Sequence, residues 1–291
     1  MPVYYGFGAG GSVNFRSMRI ARAARTISCL SLAAVFIGAT PAEDAASPNP
    51  QAIVARAFQN LYGFTSVQRV EIRARRGDGR EYLRSVQVAR RGASDGLNRM
   101  LVRFLGPGDL RGIGLLLMER PDFSYDAFLY QPALARVRRV SVAQRADAFF
   151  GTDVFFEDLE GKRSAQWRAR LLRSETVAGR PALVIELQPN GIPSGYDRVV
   201  GWFDRELPLM LRAEFYRSGQ KVKDLEIDPK RILHVGGYYV PALMTFRRAD
   251  GSVTTVEIPE VDLRDELPDE LFTQSVLEFG DERLDMRKAT R

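Results

Sequence analysis

The chain has 291 residues, 45% hydrophobic, 10% aromatic and 27% charged, a balance that suits a globular protein with a sizeable core and excludes an intrinsically disordered one. Its 42 Lys and Arg outnumber 36 Asp and Glu, for a formal charge of +6. Residues 1–42 hold Arg16, Arg19, Arg22 and Arg25 and no acid, so 38 basic and 36 acidic residues remain from Glu43 onward. That near-neutral body offers no global field for nucleic acid.

Gly6, Gly8 and Gly11 spell a dinucleotide-binding pattern, but no full strand precedes them, and the match is read as chance. Met18 reads as the true start, with residues 1–17 as an over-long beginning. After it come Arg19, Arg22 and Arg25, an apolar run from Ile27 to Gly38, and small residues through Thr40-Pro41-Ala42. This is the order of a secretory signal peptide over residues 18–42, with cleavage expected after Ala42. The apolar run is too short for a membrane span, which needs about 20 residues. Cys29, the only cysteine, lies inside that run and not after it, so it reads as apolar filler and not as a lipid-attachment site. The mature chain is expected to lack thiols, disulfides and thiolate metal sites and to be a soluble periplasmic protein.

Residues 49–62 read as a helix: Asn49 can cap, Pro50 suits the first position, and Gly63 stops it. Ile53, Val54, Ala57, Phe58 and Leu61 form its apolar stripe, with Arg56, Gln59 and Asn60 off it. The period then changes to two. Val70, Ile72 and Ala74 alternate with Arg69, Glu71, Arg73 and Arg75; Leu183, Ile185 and Leu187 alternate with Glu186 and Gln188; Leu209, Leu211, Ala213 and Phe215 alternate with Met210, Arg212 and Glu214. Turn signals at Asp78-Gly79, Asp95-Gly96, Gly179-Arg180-Pro181, Asn190-Gly191, Ser218-Gly219 and Asp250-Gly251 separate such runs. The spacing predicts an antiparallel meander of roughly ten strands in one domain over residues 43–291, with a short helical turn near Leu267–Phe272.

Chemistry-bearing residues are sparse. His234 is the only histidine, and no G-x-S-x-G elbow accompanies it. Asp147, Asp153, Glu157, Asp158 and Glu160 cluster around Phe149, Phe150, Phe155 and Phe156. Arg136, Arg138, Arg139 and Arg145 lie just upstream, so ion pairing accounts for these acids more simply than catalysis or cation binding. Leu115-Leu116-Leu117-Met118, Phe128-Leu129-Tyr130 and the phenylalanine pairs are apolar on both faces, as in strands that sit between layers or line a greasy cavity.

Three stretches in this block form a pattern: D-x-x-G-x-G-x-L over Asp109–Leu116, L-Y-x-P-A-L-x-x-V-R-R-[IV] over Leu129–Val140, and F-x-G-[ST]-D-[FV]-x-[YF]-E-D-L over Phe149–Leu159. They resemble the outer membrane lipoprotein-sorting protein family, the LolA-like proteins of the LolA/LolB fold superfamily. Gly112, Gly114, Pro132, Gly151, Asp153, Glu157 and Asp158 are the motif residues, and weaker resemblance extends over roughly 48–280.

The resemblance implies a mainly β (α+β) fold: a strongly curved antiparallel sheet forming an unclosed barrel, helices covering its mouth, and a hollow that holds acyl chains. It implies a periplasmic carrier of lipoprotein acyl chains or another lipid, moving cargo toward the outer membrane; a monomer without enzymatic activity, cofactor or metal is expected. A docking subunit of an RND-type lipid exporter is the alternative, and a hydrolase built on the acid cluster is a third. Leu115, Leu117, Phe128, Tyr130, Phe149 and Phe155 are the expected cavity residues. Arg136, Arg138 and Arg139 are expected at the rim or outside, free to meet headgroups or a partner.

Overall fold

The fold is that of a computed structural model, which describes residues 48–92 and 96–286. The glycine motif at Gly6–Gly11, the leader and Cys29 lie outside the described residues. Among those described, no helix is long and apolar enough to cross a membrane.

The first element is helix α1 (Pro50–Tyr62), where the Asn49 side chain accepts from the amides of Gln51 and Ala52 at 3.0 and 3.3 Å. Fifteen strands follow. They are β1 (Ser66–Arg75), β2 (Glu81–Arg91), β3 (Arg99–Gly106), β4 (Gly114–Glu119), β5 (Tyr125–Gln131), β6 (Arg136–Arg139), β7 (Trp167–Val177) and β8 (Arg180–Pro189). The rest are β9 (Arg198–Asp204), β10 (Met210–Arg217), β11 (Gln220–Ile227), β12 (Ile232–Val235), β13 (Tyr238–Pro241), β14 (Leu243–Arg247) and β15 (Val253–Leu263). A short helix α2 (Gln274–Phe279) comes near the end.

Thirteen strands form one sheet in the order β6-β5-β4-β3-β2-β1-β15-β14-β11-β10-β9-β8-β7, and β12 and β13 pair as a separate ribbon. Every pairing in the large sheet is antiparallel. Its edges, β6 and β7, do not pair with each other, so the sheet is not closed into a barrel. Hairpins follow the turn signals: at Ala178-Gly179 and Ser218-Gly219 both central residues have positive φ, 49° and 78°, then 51° and 75°. That geometry matches the twist of the flanking strands. Asn190-Gly191 is not a two-residue turn and opens the longer connection that joins β8 to its antiparallel neighbour β9.

Five register shifts interrupt the ladders, in the β1–β15, β2–β3, β7–β8, β9–β10 and β10–β11 pairs. An extra residue bends and twists its strand. The shift between Met210 and Arg212 also reverses phase. Met210 therefore shares a face with Phe215, where strict alternation placed them on opposite faces.

The two faces of the sheet are covered differently. The inner face carries the main core, in which Val54, Ala57 and Phe58 of α1 meet Val70, Ile72, Val102, Leu115, Leu117, Ile185, Phe203 and Val256. Behind β1–β5, the outer face packs Val67, Ala89, Leu101, Leu116, Phe128 and Tyr130 against Leu267, Leu271, Phe272, Leu277 and Leu284 from the C-terminal segment. Of the two α-helices, α1 joins the inner core and α2 contributes Leu277 to the outer one. On the other half of the sheet, Val184, Val200 and Trp202 form a smaller outer cluster, with the Arg212 guanidinium 4.6 Å from the Trp202 ring centroid.

Gly114 marks how closely the C-terminal segment approaches, because a Cβ there would lie 2.6 Å from Leu277 Cδ1 and 3.2 Å from the Leu277 carbonyl oxygen. Alanine in a strand is favoured over glycine by about 0.5–1 kcal/mol, but here overpacking outweighs that gain. Gly114→Ala is expected to lose about 1–3 kcal/mol in urea unfolding, and Leu277→Ala about 2–5 kcal/mol. The double variant should lose less than the sum, since the space vacated by Leu277 accepts the new methyl.

Candidate functional site

Alternation along the strands aims one apolar row from each into a shared hollow of about 270 Å³. Val70 and Ile72 of β1, Val86 and Val88 of β2, and Met100 and Val102 of β3 line one side. Leu225 and Ile227 of β11, Met244 and Phe246 of β14, and Val256 and Ile258 of β15 continue the wall, and Phe58, Leu61 and Tyr62 of α1 also face the hollow. Ionisable groups are few in this lining: Arg90, Asp158, Lys162 and two tyrosines, Tyr62 and Tyr196. Burial pushes the Tyr62 hydroxyl up to about 12, against a smaller opposing effect of Arg90.

Asn60, read as lying off the helix stripe, is buried and ties α1 to β13. Its Nδ2 donates to the Tyr239 carbonyl at 2.8 Å, and its Oδ1 accepts from the Tyr239 amide at 2.8 Å.

The segment from Phe149 to Leu159 is anchored by its acids. Asp153 accepts from the hydroxyls of Ser252 and Thr254, each at 2.7 Å. Glu157 accepts from the Ser194 hydroxyl and from the Gly195 amide, the latter at 2.6 Å. Asp158 accepts from the Tyr196 hydroxyl at 2.7 Å, from the Phe155 amide at 2.6 Å, and from Lys223 Nζ.

Lys223 has no exposed side-chain surface. Its ammonium donates to the Asp153 carbonyl at 3.0 Å and sits 3.8 Å from the Phe155 ring centroid, with Phe215, Phe246 and Tyr196 between 5.3 and 5.6 Å. Desolvation pulls this ammonium below its ordinary value against the opposing pull of Asp158, while burial, reinforced by Asp158, holds the Tyr196 hydroxyl well above its own. The acids on which a hydrolase reading rests are thus engaged as ties between this segment and distant strands.

The sequence-derived candidates divide. Phe149 lines the hollow, within a cluster that includes Phe104, Phe150 and Phe156. Leu115, Leu117 and Phe155 belong to the inner core but are not part of the cavity lining. Phe128 and Tyr130 are placed on the outer face, beneath the C-terminal segment, because Ala127 and Leu129 take the inward phase of β5.

Arg136, Arg138 and Arg139 lie on the edge strand β6 and are not part of the lining. Arg138 stands opposite Leu129, and Arg139 opposite Phe128, so the two arginines point to opposite faces. Arg139 pairs with Asp126 and Arg138 donates to Gln144 at 3.2 Å.

Of the motif residues, Gly112 and Gly151 both have φ of +82°, a conformation that favours glycine. Pro132 opens a short turn ahead of β6 and lies close to Gly112. His234 is exposed on β12 and stacks on Tyr239. Among the described residues, no group of three or more His, Cys, Asp or Glu is placed to hold a metal ion.

A family model described as an uncharacterized protein matches residues 96–279. Three solved structures share the architecture. A domain described as an outer membrane lipoprotein-sorting protein domain from Vibrio parahaemolyticus is 23% identical, covering 79% of this chain and 98% of its own, with a TM-score of 0.73. A DUF1329 family protein from Desulfovibrio piger is 24% identical over 79% and 100%, with a TM-score of 0.71. A LolA superfamily protein from Nitrosomonas europaea is 24% identical over 79% and 99%, with a TM-score of 0.63. No curated protein matches the chain.

The matched region contains the whole Asp153–Asp158–Lys223 tie. Breaking a buried pair by removing one member strands the other charge and costs about 3–5 kcal/mol. Lys223→Met and Asp158→Asn should each show a loss of that order in urea unfolding. The double variant is expected to recover a large part of it, since no buried charge is then left alone.

Proposed function

We propose that the chain, which belongs to the family matched over residues 96–279 and shares the fold of LolA-like proteins, is a periplasmic carrier that takes one acyl chain at a time into the hollow beside α1. The observation that carries this reading is the hollow itself, with aliphatic and aromatic walls drawn from both halves of the sheet. The motif acids support it by holding the Phe149–Leu159 segment, part of that wall, through bonds that leave them no free role.

The energetics suit a carrier. Burying a methylene is worth about 0.8 kcal/mol, so about 14 of them gain at most about 11 kcal/mol. Association costs about 4–15 kcal/mol in lost freedom and ordering. The balance is binding weak enough to release. Methionines at positions 100, 210 and 244 give the wall shape tolerance, since an unbranched thioether side chain adapts to differently placed ligands. The leader, cleaved after Ala42, would deliver the protein to the periplasm, where cargo would move toward the outer membrane. Arg136 and Arg139, exposed on an open sheet edge, would meet headgroups or a membrane partner there.

The test is displacement of a fluorescent fatty acid. Val256→Asp puts an unpaired carboxylate in the apolar wall, at a cost of several kcal/mol, and should weaken acyl binding by at least about tenfold, where each tenfold is about 1.4 kcal/mol. Neutralising Arg136, Arg138 and Arg139 together should leave acyl affinity within about twofold and slow transfer to vesicles containing anionic lipid, most at low salt. An unchanged affinity in Val256→Asp would remove the basis of the carrier reading.

A further inference from the structure

Arg90 follows Val86 and Val88 along β2 at intervals of two, so its side chain shares their inward face, and all three line the hollow. Its Nη1 donates to the Leu61 carbonyl at 2.9 Å, in the last turn of α1, and its guanidinium lies 5.6 Å from the Tyr62 ring centroid. Across the ladder it stands opposite Ser66, whose hydroxyl accepts from Gln68 Nε2 at 2.9 Å, and Gln68 is also in the lining. The wall is therefore polar along this stretch.

The other charges of the wall are matched within the protein. Lys162 donates to the Glu157 carbonyl at 2.9 Å and lies 3.7 Å from Glu160, and Asp158 is held by Lys223. Arg90 differs: among the described residues no carboxylate lies within ion-pair distance of it. Loss of bulk solvent holds its guanidinium below its ordinary value. Arg90 is half-buried, and a partly desolvated cation without a counter-charge is favoured by a ligand that supplies one.

We propose that Arg90 anchors the anionic head of the amphiphile whose acyl chain fills the hollow, so that the preferred ligand is a single-chain lipid with a carboxylate or phosphate end. The proposal rests on the carrier reading and adds to it the class of headgroup. A guanidinium has five N–H donors in a planar fork. One goes to Leu61, and the others suit the paired oxygens of a carboxylate or phosphate. The same bond to Leu61 joins the anchor to α1, so headgroup and helix would share one cation.

Isothermal titration of the wild type with laurate, dodecyl phosphate, dodecanol and inorganic phosphate separates the possibilities. Both anionic amphiphiles should bind at least about tenfold more tightly than dodecanol, the gain expected of a charge-assisted bond at a desolvated site, while inorganic phosphate should not bind at micromolar concentration. Arg90→Gln should bring the three dodecyl ligands to within about twofold of one another, the readout being the ratio of their affinities and not the affinity of any one of them. Arg90→Lys should keep part of the preference.

Equal wild-type affinities for laurate and dodecanol, or a preference that survives Arg90→Gln, would overturn the anchor and leave the carrier reading standing. Tight binding of inorganic phosphate alone would make this a free-anion site and overturn the amphiphile assignment. Failure of all three dodecyl ligands to bind the wild type would bring down the carrier reading, and the anchor with it.

Discussion

A strand that is apolar on both faces must be covered on both, since either face left to water would be an exposed hydrophobic patch. This constraint governs β4, where Leu115 and Leu117 face the inner core while Leu116 and Met118 face the outer cluster. The C-terminal segment supplies the outer cover, and Gly114 lets it approach to van der Waals distance. Five register shifts provide the bends. A curved sheet whose inner residues are too few to fill the space they enclose leaves a hollow, and α1 adds one more wall to it.

The polar interior follows from the same geometry. A loop that crosses the inner face must satisfy its own backbone and carboxylates away from water. The Phe149–Leu159 segment does so by placing its acids on Ser252, Thr254, Ser194, Gly195, Tyr196 and Lys223. These partners lie at β15, on β11 and in the β8–β9 connection, so the motif ties its segment to three stretches far apart in the chain. Charge enters the hollow where its anchoring is already local: Asp158 and Lys162 belong to or adjoin this tied segment, and Arg90 reaches in beside α1.

Much of this was legible in the residues. Asn49, Pro50 and Gly63 bounded the helix, period-two alternation marked the strands, and the motif block carried the family and with it the unclosed sheet. The direction in which each strand faces was not legible where both faces are apolar. Phe128 and Leu129 look equally fit for a cavity wall, and only the packing of Leu267–Leu284 decides that Phe128 turns away from it. Bulges hid another part, since an extra residue at position 211 turns Met210 inward. Arg90 and Lys223 were readable in principle, each standing in phase with apolar neighbours, Val86 and Val88 in one case and Leu225 and Ile227 in the other. A charge read by type is assigned to solvent, whereas a charge read by phase is assigned to the interior.

The assignment of an inner, ligand-bearing face and an outer, structural one is tested most directly by a crystal structure of the protein with bound laurate. Continuous density for the acyl chain is expected along Val70, Val86, Phe246 and Val256. Density lodged instead between the sheet and the C-terminal segment, beside Leu116 and Phe128, would contradict it.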